Sequence, residues 1–291
     1  MGRGFFVDGT YLGTKGTDLD LQFAPTPLLA ATSASAPLGV SRYTFDTSVG
    51  DSIFHALQLR ATQRFRRGIS FNFLYQYGKS IDDASTFGGG LATVAQNWLD
   101  LSAERGLSSF DIRHSLTGNF VFTSPAGTAT SRIRPDTWQG RLLKDWTLSG
   151  SLTAHTGLPL TARVLGNQAT ALAVTGGVGS LRAEATGLPV DSSTGFFNPA
   201  AFTLPPSGQY GNAGRNTIPG PDLVTVNMQF ARAFQIGPET RRRVEFRLEA
   251  NNIFNQVNIS SLETVVNASN YGLPLAASSM RSLNAVVRFR F

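Results

Sequence analysis

The chain has 291 residues, 41% hydrophobic and 15% charged, with no cysteine and a formal net charge of +6. This composition excludes a disulfide framework and any cysteine-ligated zinc site. The lack of an apolar run of about 18 residues excludes a transmembrane helix. Mean hydropathy is −0.05, a value compatible with a membrane β-barrel, because alternating apolar and polar residues average out along each strand.

Met1-Gly2-Arg3-Gly4 runs directly into Phe5-Phe6-Val7-Asp8-Gly9-Thr10-Tyr11, which reads as a strand. No basic, apolar and small-residue leader precedes it, so an exported protein with this start is expected to be a piece of a longer chain. Period-two alternation predicts about eight strands, most near the 9–11 residues that cross a bilayer at a tilt. The first, residues 5–15, is weakly patterned. The second, residues 53–65, carries Ile53, His55, Leu57, Leu59, Ala61, Gln63 and Phe65 on one side and Gln58, Arg60, Thr62 and Arg64 on the other. The third, residues 69–81, sets Ile69, Phe71, Phe73, Tyr75 and Tyr77 against Ser70, Asn72, Gln76 and Gly78, with Leu74 an exception on the polar side. Arg66-Arg67-Gly68 between them suits a three-residue hairpin loop closed by a left-handed glycine. Pairing Phe65 with Ile69 then puts Ala61 opposite Phe73 and Leu59 opposite Tyr75, so apolar positions meet along the whole hairpin.

The fourth strand, residues 110–123, has Phe110, Ile112, Leu116, Phe120 and Phe122 on one face and Asp111, Arg113, Ser115, Thr117 and Asn119 on the other. The fifth, residues 146–158, alternates Trp146, Leu148, Leu152 and Ala154 with Thr147, Ser149, Ser151, Thr153 and His155. In the sixth, Val224, Val226, Met228 and Phe230 oppose Thr225, Asn227 and Gln229, and in the seventh Val244, Phe246, Leu248 and Ala250 oppose Glu245, Arg247, Glu249 and Asn251. The eighth places Leu283, Ala285, Val287, Phe289 and Phe291 on one side, with Arg288 and Arg290 on the other.

The connections sort by length. Residues 16–52, 82–109, 159–221 and 255–280 form long ones, and 66–68, 124–145 and 235–243 form short or medium ones. Long loops at one end and short turns at the other are what outer-membrane barrels show. Without that explanation such loops would count against the strand assignment. The charged face argues the same way. Arg60, Arg64, Asn72, Arg113, Glu245, Arg247 and Glu249 are candidate lumen-lining residues; in the dry core of a sandwich the charges among them would cost several kcal/mol each. Tyr75, Tyr77, Trp146 and Phe291 suit interfacial aromatic girdles.

Other motifs carry less. No helix-borne basic stripe or RNA-binding motif accompanies the positive charge, so no nucleic-acid partner is expected. The densest basic run, Arg241-Arg242-Arg243, sits beside Gly237-Pro238 and reads as a turn. Gly78-Lys79-Ser80 lacks the earlier glycine of a phosphate loop, since Phe73 stands there. His55, His114 and His155 lie on separate strands without metal-ligand spacing. Asp18, Asp20 and Asp82-Asp83 lie at loop mouths, where calcium is conceivable but solvated loop acids are expected. Ser115 follows His114 directly, so the two point to opposite faces, and no nucleophile elbow occurs. No catalytic residue, cofactor or metal is therefore expected. Gly88-Gly89-Gly90 and Pro205-Pro206-Ser207-Gly208 punctuate loops.

Several motifs occur together in order: Asp145-Trp146-Thr147-Leu148-Ser149-Gly150, then Gly195-Phe196-Phe197-Asn198-Pro199-Ala200-Ala201-Phe202, then Tyr210-Gly211-Asn212-Ala213-Gly214-Arg215-Asn216 and Pro219-Gly220-Pro221, then Arg247-Leu248-Glu249-Ala250-Asn251-Asn252-Ile253-Phe254-Asn255. This series resembles the C-terminal half of large TonB-dependent outer-membrane receptors of the Oar-like group, which often carry a carboxypeptidase-regulatory-like domain. The resemblance implies a barrel of about 22 strands plugged by an N-terminal domain, uptake from outside, and energy delivered through TonB. It also implies that the last strand, with Val287, Phe289 and Phe291, is read by the outer-membrane assembly machinery.

The expected fold is therefore an all-β, antiparallel transmembrane β-barrel, with residues 1–291 forming the C-terminal part of a larger one. Outer-membrane lipid is an expected partner, and the TonB complex would be reached only through the missing N-terminal part. Two alternatives remain: a free-standing eight-stranded outer-membrane structural or adhesive protein, and a soluble carbohydrate-binding β-sandwich.

Overall fold

The computed structural model describes residues 4–23, 45–66, 68–85, 95–97, 100–124, 137–164, 181–206, 209–236 and 242–290. Arg67, Gly88-Gly89-Gly90, Ser207-Gly208, Gly237-Pro238, Arg241 and Phe291 lie outside them. The described strands, in chain order, are β1 (Phe5–Phe23), β2 (Phe45–Arg66), β3 (Ile69–Asp82), β4 (Gly106–Leu107), β5 (His114–Thr123), β6 (Trp146–His155), β7 (Glu184–Ala185), β8 (Phe202–Thr203), β9 (Leu223–Gln235), β10 (Arg243–Asn251), β11 (Ile259–Leu262), β12 (Pro274–Ala277) and β13 (Ser282–Arg290). One short helix, α1 (Trp138–Leu143), is capped by the Thr137 hydroxyl, which accepts from the Gly140 amide at 3.1 Å.

The eight long strands form one antiparallel sheet in the order β1-β2-β3-β5-β6-β9-β10-β13, with β4 added to the end of β3. The strands follow chain order, an up-and-down meander. Among the described residues the only other sheets are the two-stranded pairs β7-β8 and β11-β12, so the sandwich reading lacks a second layer of matching size. Among the described residues β1 and β13 do not pair with each other, so the sheet is open and is not a closed eight-stranded barrel.

The β2–β3 register carries Ala61 opposite Phe73 and Leu59 opposite Tyr75, as the sequence predicts. The turn itself differs. A register shift between Gln63 and Arg66 puts one extra residue into β2, and Arg66 rather than Phe65 pairs with Ile69. Gly68 has φ 85°, a conformation that costs a side-chain-bearing residue far more than glycine.

Register carries each face across all eight strands. Val7, Ala61, Phe73, Gly118, Leu152 and Val226 form one continuous row. Phe122, Leu148, Phe230, Leu248 and Ala285 form another on the same side. On the opposite side Thr62, Asn72, Asn119, Ser151 and Asn227 align. Much of the apolar face is uncovered: Val7, Leu57, Leu59, Phe230, Phe246, Leu248, Leu283 and Phe289 are all more than two-fifths exposed. In water an apolar belt of this extent would be an aggregation surface; facing hydrocarbon, it is the side that must be apolar.

Three strand bounds differ from expectation. The described residues of the predicted 16–52 loop are strand, because β1 runs on to Phe23 and β2 begins at Phe45, with irregularities around Leu19 and Asp18 at φ 54°. Beyond residue 16 one face is polar (Asp18, Asp20, Asp46, Ser48) while Leu19 and Leu21 stay on the other, and the register shifts around Leu19 interrupt the two-residue period from which strands are read. β5 starts at His114 rather than Phe110, since Asp111 turns inward to accept from the Ser80 amide at 2.6 Å. β6 ends at His155, where Thr156 takes over to bond the His114 amide.

The larger buried cluster lies outside the eight-stranded sheet, and a smaller one joins Leu21 of β1 to Ala95. Val164, Leu181, Phe197, Phe202, Ile218, Leu262 and neighbouring alanines form a cluster contributed by residues 156–222 and 252–281. The long loops are thus a folded layer at one end of the wall.

Candidate functional site: a loop cap above a polar wall

Two families of polar residues meet at the loop end of the sheet. The first holds the cap together. Arg182 donates to Glu104 at 2.6 Å, and both are buried. Glu104 also accepts from the Gln96 amide at 3.0 Å, and Gln96 bridges to the Arg182 amide and the Gly211 carbonyl. Burial pushes the Glu104 carboxyl up from its ordinary value, against the pull of Arg182. The Arg215 guanidinium, also buried, donates to the Ser85 carbonyl at 2.7 Å and to both the carbonyl and the carboxylate of Asp82. Asn216, left-handed at φ 56°, donates to the Leu107 carbonyl at 2.6 Å and exchanges bonds with Thr161. Residues 210–216 therefore fasten the 156–222 loop onto the 83–113 loop.

The asparagine-rich segment after β10 does the same on the other side. Asn252 closes a turn on Gln256 with two bonds of 2.9 Å and receives the Asn227 side chain on its amide. Asn258, buried, bonds both backbone groups of Val224. Asn252 and Asn255 have φ 49° and 54°, which asparagine tolerates better than most side chains. Gly157 and Gly220 meet so closely that a Cβ on Gly157 would lie 2.0 Å from the Gly220 carbonyl oxygen; no larger residue fits at this crossing. Phe197 packs edge-on against Tyr271 at 5.6 Å. Burial pushes the Tyr271 hydroxyl up to about 12, and raises that of Tyr210 as well.

The second family is the polar face. Asn72 accepts from the Thr62 hydroxyl at 3.0 Å, and Asn227 donates to Ser151 at 3.3 Å. Glu245, Arg247 and Glu249 form a ladder, Arg247 reaching Glu245 at 2.8 Å and Glu249 at 3.5 Å, with Arg288 opposite Glu245 on β13. These three candidate lining residues are brought together. Arg60, across from Asp8, and Arg64, whose guanidinium lies 5.3 Å from the Phe6 ring, stand on the far side of the sheet near β1. Arg113 stands at the top of the wall, paired with Asp111 at 3.3 Å. The β10–β13 pairing puts Val287 opposite Phe246 and Phe289 opposite Val244 on the apolar face.

Two concavities go with these surfaces. One of about 630 Å³ opens among the loops beside Phe196, Pro219, Pro221, Gln256 and Val257. Another of about 590 Å³ lies on the wall, where Asn119, Ser151, Asn227, Gln229, Glu249 and Asn251 supply donors and acceptors. Both can hold polar solutes. Asp82, expected as a solvated loop acid, is instead buried and bound to Arg215, and Asp83 accepts from the Asp51 amide at 2.7 Å. The reason is the fold of the cap, which carries Arg215 over the end of β3. Ser115 and His155 oppose each other across β5 and β6, but the His155 ring nitrogen Nδ1 is occupied by the Thr156 carbonyl at 2.9 Å.

Sequence reasoning did not single out Glu104, Arg182, Arg215 or Asn216. Arg215 and Asn216 sit inside the Tyr210–Asn216 motif, which anchors loops through their bonds to Asp82, Ser85 and Leu107. Glu104 and Arg182 carried no signal, being 78 positions apart.

An uncovered apolar belt, a polar opposite face and loops sorted to one end define an outer-membrane β-barrel wall. The outer membrane beta barrel domain family matches residues 1–284, and the chain belongs to that family. It therefore resides in the outer membrane. No curated protein matches it. Among solved structures, the outer membrane transporter YddB from Escherichia coli is similar with a TM-score of 0.51 at 12% identity, over 100% of this chain and 31% of that one. At that identity the likeness is one of fold. The chain spans less than a third of the transporter's length.

Proposed function

We propose that this chain is the C-terminal part of the barrel of a TonB-dependent receptor, and that the whole protein takes up a scarce solute across the outer membrane with energy from the inner membrane. The observation that carries the reading is the folded cap: two long loops share one buried core, and two buried arginine–carboxylate pairs tie a third segment to them above a polar wall. A passive pore needs no such investment in its outer loops, whereas a receptor must hold binding loops in place. The open eight-strand sheet supports a larger barrel, as does the likeness to a transporter more than three times as long. The Oar-like motifs around Phe197, Arg215 and Asn252 add to it. The polar wall, including Arg60, Arg64, Asn72, Arg113, Glu245, Arg247 and Glu249, is lining in this reading, and the protein performs no catalysis.

The test compares a strain lacking the gene with its parent, following solute depletion from a complex extract with and without a protonophore. The expected result is a class of solute removed only by the energised parent. Equal depletion in the presence of the protonophore would make the protein a passive channel and sink the proposal.

A further inference from the structure

The outward face of β1, β2 and β3 changes character toward the loop end. Above Phe73 and Tyr75 comes a row of Tyr11, Leu57 and Tyr77, with His114 next on β5. One step higher, about 7 Å along the strands, the row is Gly13, His55 and Lys79. One step above that, Lys15 opposes Ile53. The side chains of Tyr11, His55, Lys79 and Lys15 are exposed. Aromatic residues followed by cations mark the level where hydrocarbon gives way to headgroups.

The cluster is built for an anion. The Tyr11 hydroxyl lies 2.7 Å from Nδ1 of His55, and the Tyr75 hydroxyl lies 2.8 Å from Nδ1 of His114. A phenol is a stronger acid than a neutral imidazole, so the tyrosine donates and each ring keeps its proton on Nε2. Protonation of the ring leaves Nε2 a donor as well. Gly13, with no side chain, lets the pair lie close over the strand, since a Cβ there would stand 3.4 Å from the Tyr11 ring and 3.6 Å from His55. Lys79 opposes His55 on one side, and Lys15 stands diagonally above on the other. Among the described residues neither lysine enters an ion pair. The acids on this face, Asp51 and Asp83, lie beyond Ile53 and Ile81, and Asp83 is turned onto the Asp51 amide.

We propose that the exposed cluster of Lys15, His55 and Lys79 binds the phosphate of an outer-leaflet lipid headgroup. The lipid's acyl chains then lie along the Tyr11, Tyr77 and Phe73 surface directly below. A free anion would gain the same cations but not that apolar surface, so lipid and inorganic phosphate are distinguishable. The proposal is independent of what the protein transports.

The experiment takes the full-length protein extracted from outer membranes into detergent, and reads retained lipid by native mass spectrometry after exchange into lipid A with or without its phosphates. The wild type should retain the phosphorylated lipid preferentially. Each lysine changed to glutamine should weaken retention about fivefold, and Lys15→Arg/Lys79→Arg should restore it. Lys79→Gln alone gives a readout even if the double glutamine variant does not fold. Equal retention of the two lipids, or no effect of the glutamine variants, would overturn the proposal. Displacement of the lipid by millimolar inorganic phosphate alone would overturn the lipid assignment in favour of a free-anion site.

Discussion

Arg215→Ala is expected to destabilise the loop cap by about 3–5 kcal/mol, the range for removing one partner of a buried ion pair. The Arg215 side chain is 0% exposed and Asp82 3%. Deleting the guanidinium strands a buried carboxylate, and also leaves the Asp82 and Ser85 carbonyls without the donor that now holds them. Asp82 retains bonds from the Ser85 amide and hydroxyl, so the cost falls on the junction between the two loops rather than on the strand. Asp82→Asn in the Arg215→Ala background should recover part of the loss, because the uncompensated charge is then gone. Hydrogen exchange of residues 156–222 in the native outer membrane reads the effect: protection should drop across the Phe197 cluster while the β5–β6 pairing stays protected. A change below about 1 kcal/mol would mean that the pair is not a structural anchor.

Phe73→Arg should cost about 2–4 kcal/mol if Phe73 faces lipid near the midplane. The ring lies over Gly118, where a Cβ would meet it at 2.0 Å, and beside Phe71 at 5.7 Å. The variant thus both places a cation in hydrocarbon and empties a filled notch. Asn72→Arg, one residue away on the opposite face, is the control and should cost less than about 1 kcal/mol, as surface changes in a hydrated setting usually do. Unfolding of the refolded protein in lipid measures both. Equal costs at the two positions would remove the distinction between the faces.

The wall was legible in the sequence because a two-residue period survives wherever one face meets lipid and the other water. The β2–β3 register followed from matching Ala61 with Phe73 and Leu59 with Tyr75, and it failed only at the turn, where an extra residue in β2 leaves no apolar trace. The β1–β2 extension was not legible, since the register shifts around Leu19 break the two-residue period just where the extension begins. The site was legible only in outline. Glu245, Arg247 and Glu249 declared themselves by sharing one face of one strand. The cap did not, because Glu104 finds Arg182, and Asp82 finds Arg215, only after three loops have folded over the strand ends. Asn252 and Asn255 belong to the Arg247–Asn255 motif and Asn258 to no motif; their physical role, left-handed turns for the first two and a backbone staple for the third, needs coordinates to be read.

The most direct measurement uses the absence of cysteine from the chain. Single cysteines placed in turn at residues 71, 72, 73, 74, 75 and 76 of β3 can be treated in intact outer membranes with a membrane-impermeant, water-soluble maleimide. An outer-membrane wall with the assigned faces predicts labelling at Asn72, Leu74 and Gln76 once the lumen is accessible, and none at Phe71, Phe73 and Tyr75. Uniform labelling along β3, or the opposite alternation, would contradict it.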